Sequence, residues 1–235
     1  MKKFLFCLLL LGAGLEVSAQ FMSNSAHEYE KRATTVKETP NWFGSIWLSY
    51  YPMTLSLKGS GTTSTSKFNG VGLLWTSAHG LGHIPLYLEW GLGLQYAGNE
   101  EKESYEGVYY TTTNNLLFLN VPLQLLYRFQ IPSTKIAIAP YTGFLFTVPV
   151  LWNEKVQASG YGDTYTESSD VFKYFYDQTG ENLNRFNMDW QFGVRFMFNH
   201  FFLGAAYRLP LVGLYNKNSV TWSFSQADIS LGFTF

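Results

Sequence analysis

Glu89 and Asp189 each sit in a stretch with few other charges, and two carboxylates in unlike surroundings are one way to build an acid–base pair. Four histidines, His27, His79, His83 and His200, add candidate general bases and metal ligands. His79 and His83 frame the run "HGLGH", but two ligands in one short turn leave a structural zinc site well short of its tetrahedral set. The one cysteine, Cys7, lies in the N-terminal apolar run, so the rest of the chain offers no thiol nucleophile, thiolate ligand or disulfide. Chemistry, if any, falls to carboxylates and histidines. What those residues do depends on the elements that carry them.

The elements read as strands. In residues 84–96 one face carries Ile84, Leu86, Leu88, Trp90, Leu92, Leu94 and Tyr96, and the other Pro85, Tyr87, Glu89, Gly91, Gly93 and Gln95. Residues 187–198 alternate in the same way, with Met188, Trp190, Phe192, Val194, Phe196 and Phe198 opposite Asn187, Asp189, Gln191, Gly193, Arg195 and Met197. A period of two sustained this long specifies strands. The pattern predicts eight of them, at 42–57, 68–78, 83–97, 112–129, 134–148, 185–199, 200–213 and 222–235. The connections between them alternate, short at "AHGLG", "QIPST" and "NH", long at 58–67, 98–111, 149–184 and 214–221. Pro52, Pro85, Pro122, Pro140 and Pro210 fall within the predicted strands, so bulges or strand ends are expected there.

Export accounts for this pattern. Residues 1–19 carry Lys2 and Lys3, an apolar run from Phe4 to Leu15 and the small residues Ser18 and Ala19, which is a secretory signal peptide with cleavage after Ala19. Residues 20–41 read as a polar periplasmic tail. Aromatics make up 18% of the chain and charged residues only 14%, well below the roughly 25% charged residues of ordinary globular domains. The formal net charge of −1 gives no footprint for nucleic acid or a polybasic membrane surface. The expected fold is all-β: a closed antiparallel up-and-down transmembrane β-barrel of eight strands over 42–235, in the outer membrane of a Gram-negative cell. The long connections then face outward and the short ones the periplasm.

Three stretches resemble a known family. "FLNVPLQLLYRF" (118–129) resembles the strand motif "YLEIPLLLKYRF" of the small bacterial outer-membrane-protein β-barrels, the PorT-type and OmpX-like eight-stranded barrels. "APYTGFLF" (139–146) and "AAYRLPLVGLYN" (205–216) resemble later strands of that family, in the same order. Asn120 stands where the family often has Glu and Leu126 where it often has Lys. The chain also stops on Ile229, Leu231, Phe233 and Phe235 at alternate positions, which resembles the C-terminal signal read by the outer-membrane assembly machinery.

Within such a barrel the candidate residues sort by place. Glu89, Arg128, Lys135, Asp189, Arg195, Arg208 and Asp228 are expected to face the lumen, where an eight-stranded barrel has room only for side chains, so a salt-bridged plug is expected, with no catalytic site. Tyr51, Tyr87, Phe118, Tyr141 and Phe202 should point inward with them. The barrel histidines fall in or beside periplasmic turns, away from any outer-leaflet substrate, so no enzyme, cofactor or metal is expected. The long third loop carries Trp152, Tyr161, Tyr165, Phe172, Tyr174, Phe175 and Tyr176 among many carboxylates, and interface anchors are often aromatic. The expected function is a non-enzymatic barrel whose loops bind a protein partner at the cell surface. Its other partners are outer-membrane lipid, lipopolysaccharide and the assembly machinery. An accessory part of a secretion or surface-assembly machine, a small pore and a lipid-modifying enzyme are the alternatives.

Overall fold

The computed structural model describes residues 40–59, 61–161, 163–217 and 220–235; the predicted signal peptide, the predicted periplasmic tail before Pro40 and His27 lie outside the described residues. Eight long strands form a ring: β1 (Trp42–Gly59), β2 (Thr62–Gly80), β3 (Leu86–Tyr105), β4 (Val108–Tyr127), β6 (Ile136–Gly160), β8 (Asn187–Phe198), β9 (Phe201–Val212) and β11 (Val220–Thr234). Three short strands join them: β5 (Phe129–Gln130) and β7 (Asp163–Asp170) on β6, and β10 (Tyr215–Lys217) on β11. Each long strand pairs antiparallel with the next, and β1 pairs with β11 from Ser45↔Thr234 to Lys58↔Thr221, which closes the barrel. Closure leaves no row of unpaired backbone groups to face lipid.

Alternation fixes the facing. Leu88 is exposed and Glu89 fully buried, and along β3 every second residue from Leu88 to Tyr96 points out. Ile46, Leu48, Leu73, Phe196, Leu203, Ile229 and Leu231 extend the outer apolar surface around the ring. From Leu86 to Tyr96 the strand climbs ten residues, which at about 3.3 Å each and a tilt of about 40° spans about 25 Å of membrane normal. Inside lie Ser45, Ser49, Thr76, Gln95, Asn120, Gln124 and Gln191, all buried. An apolar exterior around a polar interior inverts the soluble pattern and puts the barrel in a bilayer.

The prolines break hydrogen bonding locally. At Pro52 the β1–β11 ladder is interrupted, and at Pro122 the β3–β4 ladder, in both cases without a change of register. Pro140 falls where β4 gives way to β5. Pro210 adjoins a register shift between β8 and β9, while Pro85 lies in a turn and not in a strand. Two inward glycines make room for large rings: a Cβ on Gly72 would lie 2.6 Å from Tyr51, and one on Gly232 would strike Phe202.

The long connections are more regular than the sequence implies. The stretch 58–67 is almost wholly strand, and 98–111 is a hairpin whose two turn residues, Glu106 and Gly107, both have positive φ (49° and 80°). That geometry matches the right-handed twist of the flanking strands. The stretch 149–184 contains the end of β6, then β7, then a helix, α1 (Val171–Thr179). The Asp170 carboxylate caps α1 through Phe172 N at 2.8 Å, and Gly180 ends it with φ 69°. Much of 214–221 is taken up by β10 and the start of β11.

Candidate functional site

The lumen is filled in layers. Nearest the short turns, Phe43 and Tyr87 pack edge to face at 5.0 Å. Above them Arg195 places Nη1 3.0 Å from Glu89 Oε1 and 2.9 Å from Oε2. Thr76 Oγ1 donates to the same carboxylate, and so does Gln124 Nε2 at 2.6 Å, while Gln191 Nε2 donates to Gln124 Oε1 at 2.7 Å. The Arg195 guanidinium lies 4.3 Å from the Trp47 ring centre, 4.7 Å from Tyr141 and 5.2 Å from Phe202. Such cation–π contacts gain strength when desolvated.

The next layer is built around Arg208. Its Nη2 donates to Asp228 Oδ2 at 2.9 Å, its Nη1 donates to Gln226 Oε1 at 3.2 Å, and Tyr51 lies under the guanidinium at 4.5 Å. Gln95 Nε2 donates to Gln226 Oε1 at 3.1 Å, Asn120 Nδ2 to Gln95 Oε1 at 3.0 Å, and Thr147 Oγ1 to Asn120 Oδ1 at 3.1 Å. Glu89, Arg195, Arg208 and Asp228 thus meet in the lumen. Asp189 is buried beside them, with no ion pair among the described residues. Arg128 is not part of this plug: it sits at the turn end of β4, 5.9 Å from the Phe43 ring, because the chain breaks there between β4 and β5. Lys135 is likewise in an exposed turn, just before β6 begins.

Toward the outer mouth the filling becomes aromatic. Phe224 lies 6.0 Å from Phe68, 5.8 Å from Phe118 and 6.1 Å from Trp152. Trp152 and Phe172 are both nearly fully buried. A bulge opposite Leu117 and Phe118 explains the first: Val150 and Leu151 both face out, which flips the register and turns Trp152 inward, where its Nε1 donates to Asn114 Oδ1 at 3.0 Å. Phe172 enters from α1, 6.2 Å from Trp152, under the Arg185 guanidinium at 4.2 Å. Phe175, on the same side of α1, packs 5.2 Å from Trp222. Tyr161, Tyr165, Tyr174 and Tyr176 are exposed. The seven loop aromatics therefore split, three holding α1 over the mouth and four facing solvent.

Beyond Gly98 the strands leave the barrel. The β2–β3 ladder ends at Asn69↔Gly98, but β3 and β4 stay paired to Tyr105↔Val108, β4 with β6 to Tyr109↔Ser159, and β6 with β7 to Gly160↔Asp163. The result is a protruding four-stranded sheet with open edges on β3 and β7. Sequence reasoning missed it because both faces of these segments are polar and leave no alternation to read. The register puts Glu101, Glu103, Glu154, Asp163 and Glu167 on one face with Tyr110 and Tyr165, and Lys102 and Lys155 on the other. Tyr161 Oη donates to Glu106 O at 2.8 Å and ties the two hairpin tips together. At the foot of this region Tyr215 Oη donates to Glu181 Oε2 at 2.5 Å and Lys217 lies 3.4 Å from Oε1, which hold the Glu181 carboxyl below the usual range, the hydrogen bond contributing most.

On the opposite side Ile229, Leu231, Phe233 and Phe235 all point outward, and Phe235 exchanges backbone hydrogen bonds with Gly44 at 2.9 and 3.0 Å. His79 and His83 are exposed at the short turns, and His200 Nδ1 lies 3.0 Å from Thr234 O.

No family model and no curated protein matches the chain. Among solved structures it is similar to Ail, the attachment invasion locus protein of Yersinia pestis, at 13% identity over 83% of this chain and 100% of that one, with a TM-score of 0.35. Neisserial surface protein A is similar at 13% identity over 80% and 95%, TM-score 0.35, and the N-terminal β-barrel domain of Pseudomonas aeruginosa OprF at 11% over 81% and 97%, TM-score 0.29. The closed strand pairing and the apolar belt, not these likenesses, define the fold. It is that of the small outer-membrane β-barrels. The chain is an outer-membrane protein.

Proposed function

We propose that this barrel is a non-enzymatic anchor that presents its protruding sheet and α1 to a protein partner at the cell surface. The observation that carries the reading is the four-stranded sheet itself, which stands clear of the lipid belt with unpaired edges on β3 and β7. An open edge offers a partner strand a row of backbone donors and acceptors. The partition of charge adds chemistry: five carboxylates on one face with no Lys or Arg among the sheet residues of that face favour a partner with a basic surface. A lumen filled by ion pairs and aromatic rings argues against the pore alternative.

The test is a photo-reactive residue at Thr166 on β7, activated on intact cells, with a second at Leu88 as the lipid-facing control. A protein cross-linked from 166 and not from 88, and lost when the β3–β4 hairpin is shortened by joining Glu100 to Thr113, supports the reading. The same cross-links from both sites, or undiminished capture by the shortened protein, refutes it.

A further inference from the structure

The wall of the barrel carries a groove where β9 holds one residue too many. Asp189 pairs with Pro210 and Met188 with Val212, so Leu211 is extra. The bulge turns two consecutive apolar side chains outward, Leu211 at 53% exposed and Val212 at 37%. Leu203, Tyr207 and Leu209 face out before them on the same strand, so this pair is the last apolar surface of the belt before β10.

Two further segments line the groove. Asn182 and Asn184 belong to one, which is pinned to the wall where Asn184 N donates to Leu214 O at 2.6 Å. Tyr215, Asn216 and Lys217 of β10 are the other, held on β11 from Tyr215↔Trp222 to Lys217↔Val220. The volume is about 350 Å³, within the roughly 300–1,000 Å³ of small-molecule sites.

The polar lining offers hydrogens. Phe186 N donates to Asn184 Oδ1 at 3.0 Å and Thr221 Oγ1 to Asn216 Oδ1 at 3.4 Å, so both amides turn their oxygen to the protein. What they have left to give is N–H; only Asn184 Nδ2 spends a hydrogen among the described residues, on Gly213 O at 3.4 Å. Lys217 adds an ammonium on a side chain 60% exposed, with Glu181 Oε1 3.4 Å away and the other hydrogens unspent. Glu181 does not line the groove, and its two oxygens are taken by Tyr215 and Lys217.

The occupant must therefore be apolar where it meets Leu211 and Val212 and rich in acceptors where it meets β10. One acceptor should be anionic, to suit the ammonium, and the others neutral, to suit two amides. We propose that the groove holds one molecule of lipopolysaccharide by its lipid A, with a sugar phosphate on Lys217, sugar or acyl oxygens on Asn184 and Asn216, and an acyl chain along Leu211 and Val212. A glycerophospholipid supplies the phosphate and the chain but no sugar. The proposal rests on the long connections lying outside the cell, as in the function proposed above, because lipopolysaccharide occupies the outer leaflet.

The experiment is native mass spectrometry of the full barrel, refolded in mild detergent so that no lipid is carried over, with purified lipid A as the probe. Wild type holds one lipid A per barrel, and phosphatidylglycerol or lipid A stripped of its phosphates binds about tenfold more weakly or worse. Lys217→Gln lowers the affinity for lipid A about tenfold, and Leu211→Gln lowers it from the apolar side. Tyr96→Ala, at the far end of the belt on β3, leaves it unchanged. The gel shift of the folded barrel checks each variant, and Lys217→Gln, on exposed β10, decides the matter if Leu211→Gln does not fold. No binding, equal binding of phosphatidylglycerol, or equal affinity in Lys217→Gln and Tyr96→Ala overturns the proposal and leaves the partner reading untouched. Labelling of intact cells at a cysteine in place of Ser133 and not of Thr164 overturns the orientation, and both readings with it.

Discussion

Arg195 is the residue on which the inner layer turns. Its Nη1 bridges both oxygens of Glu89, and three aromatic rings surround its guanidinium. Arg195→Met preserves much of the stem's packing but leaves Glu89 buried with only Thr76 and Gln124 as donors. Removing one partner of a buried pair costs about 3–5 kcal/mol, and the cation–π contacts go with it, so a loss of about 4 kcal/mol is expected. Glu89→Gln retains the shape and half the hydrogen bonding and strands Arg195 instead, at about 2 kcal/mol. The double variant strands neither charge and costs only about 3 kcal/mol, which gives a coupling energy of about 3 kcal/mol. Urea unfolding in lipid vesicles, read by tryptophan fluorescence and by the gel shift between folded and unfolded barrel, measures all three. Additive losses within about 0.5 kcal/mol would show that Glu89 and Arg195 do not hold each other.

Three further outcomes are expected. Leu88→Arg puts a charge into the lipid belt and costs about 2–4 kcal/mol if it lies near the midplane, whereas Leu88→Phe is harmless; equal folding of the two in vesicles would mean that Leu88 does not face lipid. A cysteine at Thr164, on exposed β7, reacts with an impermeant thiol reagent on intact cells, and one at Ser133, in a short turn, does not; the reverse pattern would invert the topology. The depressed Glu181 carboxyl contributes stability that is present above the ordinary carboxylate range and lost as pH falls through its lowered value. Acidification should therefore loosen Tyr215 from its contact with Trp222 in wild type, and Glu181→Gln should remove that step; an unchanged fluorescence titration in the variant would assign the step elsewhere.

The sequence was most legible where one face meets lipid and the other the lumen. Leu88 and Glu89, Phe196 and Arg195, and Leu231 and Ser230 all lie where a period of two puts them, because a slip of one residue would send a row of polar side chains into lipid. Legibility fails where that contrast disappears. Residues 98–105 and 163–170 pair as strands with water on both faces, so nothing in their order marks them. Polar Thr221, Ser223 and Ser225 continue the outward parity of β11 without a bulge, opposite Lys58, Ser56 and Thr54 of β1, so both strands rise together above the belt. The inward turn of Trp152 depends on one extra residue in β6 that alternation alone cannot locate. α1 did leave a signal in Asp170, Gly180 and the spacing of Phe172 and Phe175, overshadowed by the acidic run around it.

The two halves of the filling bear differently on the surface role. The lower half holds two ion pairs: Glu89 of β3 with Arg195 of β8, far apart in sequence, fastens opposite walls of the barrel to each other, and Arg208 with Asp228 clamps the neighbouring strands β9 and β11. The upper half is aromatic and includes α1, yet its central ring, Phe224, belongs to β11 and meets Phe68 and Phe118 from the wall as well as Trp152. Removing Phe172 would strip one ring from the top of that stack and leave the charged layers beneath it in place. The sheet above Gly98 touches the filling at its foot, where buried Asn114 accepts from Trp152 Nε1. The rest of it stands clear of belt and plug, so substitutions there test the partner-binding role proposed above without disturbing what holds the barrel shut.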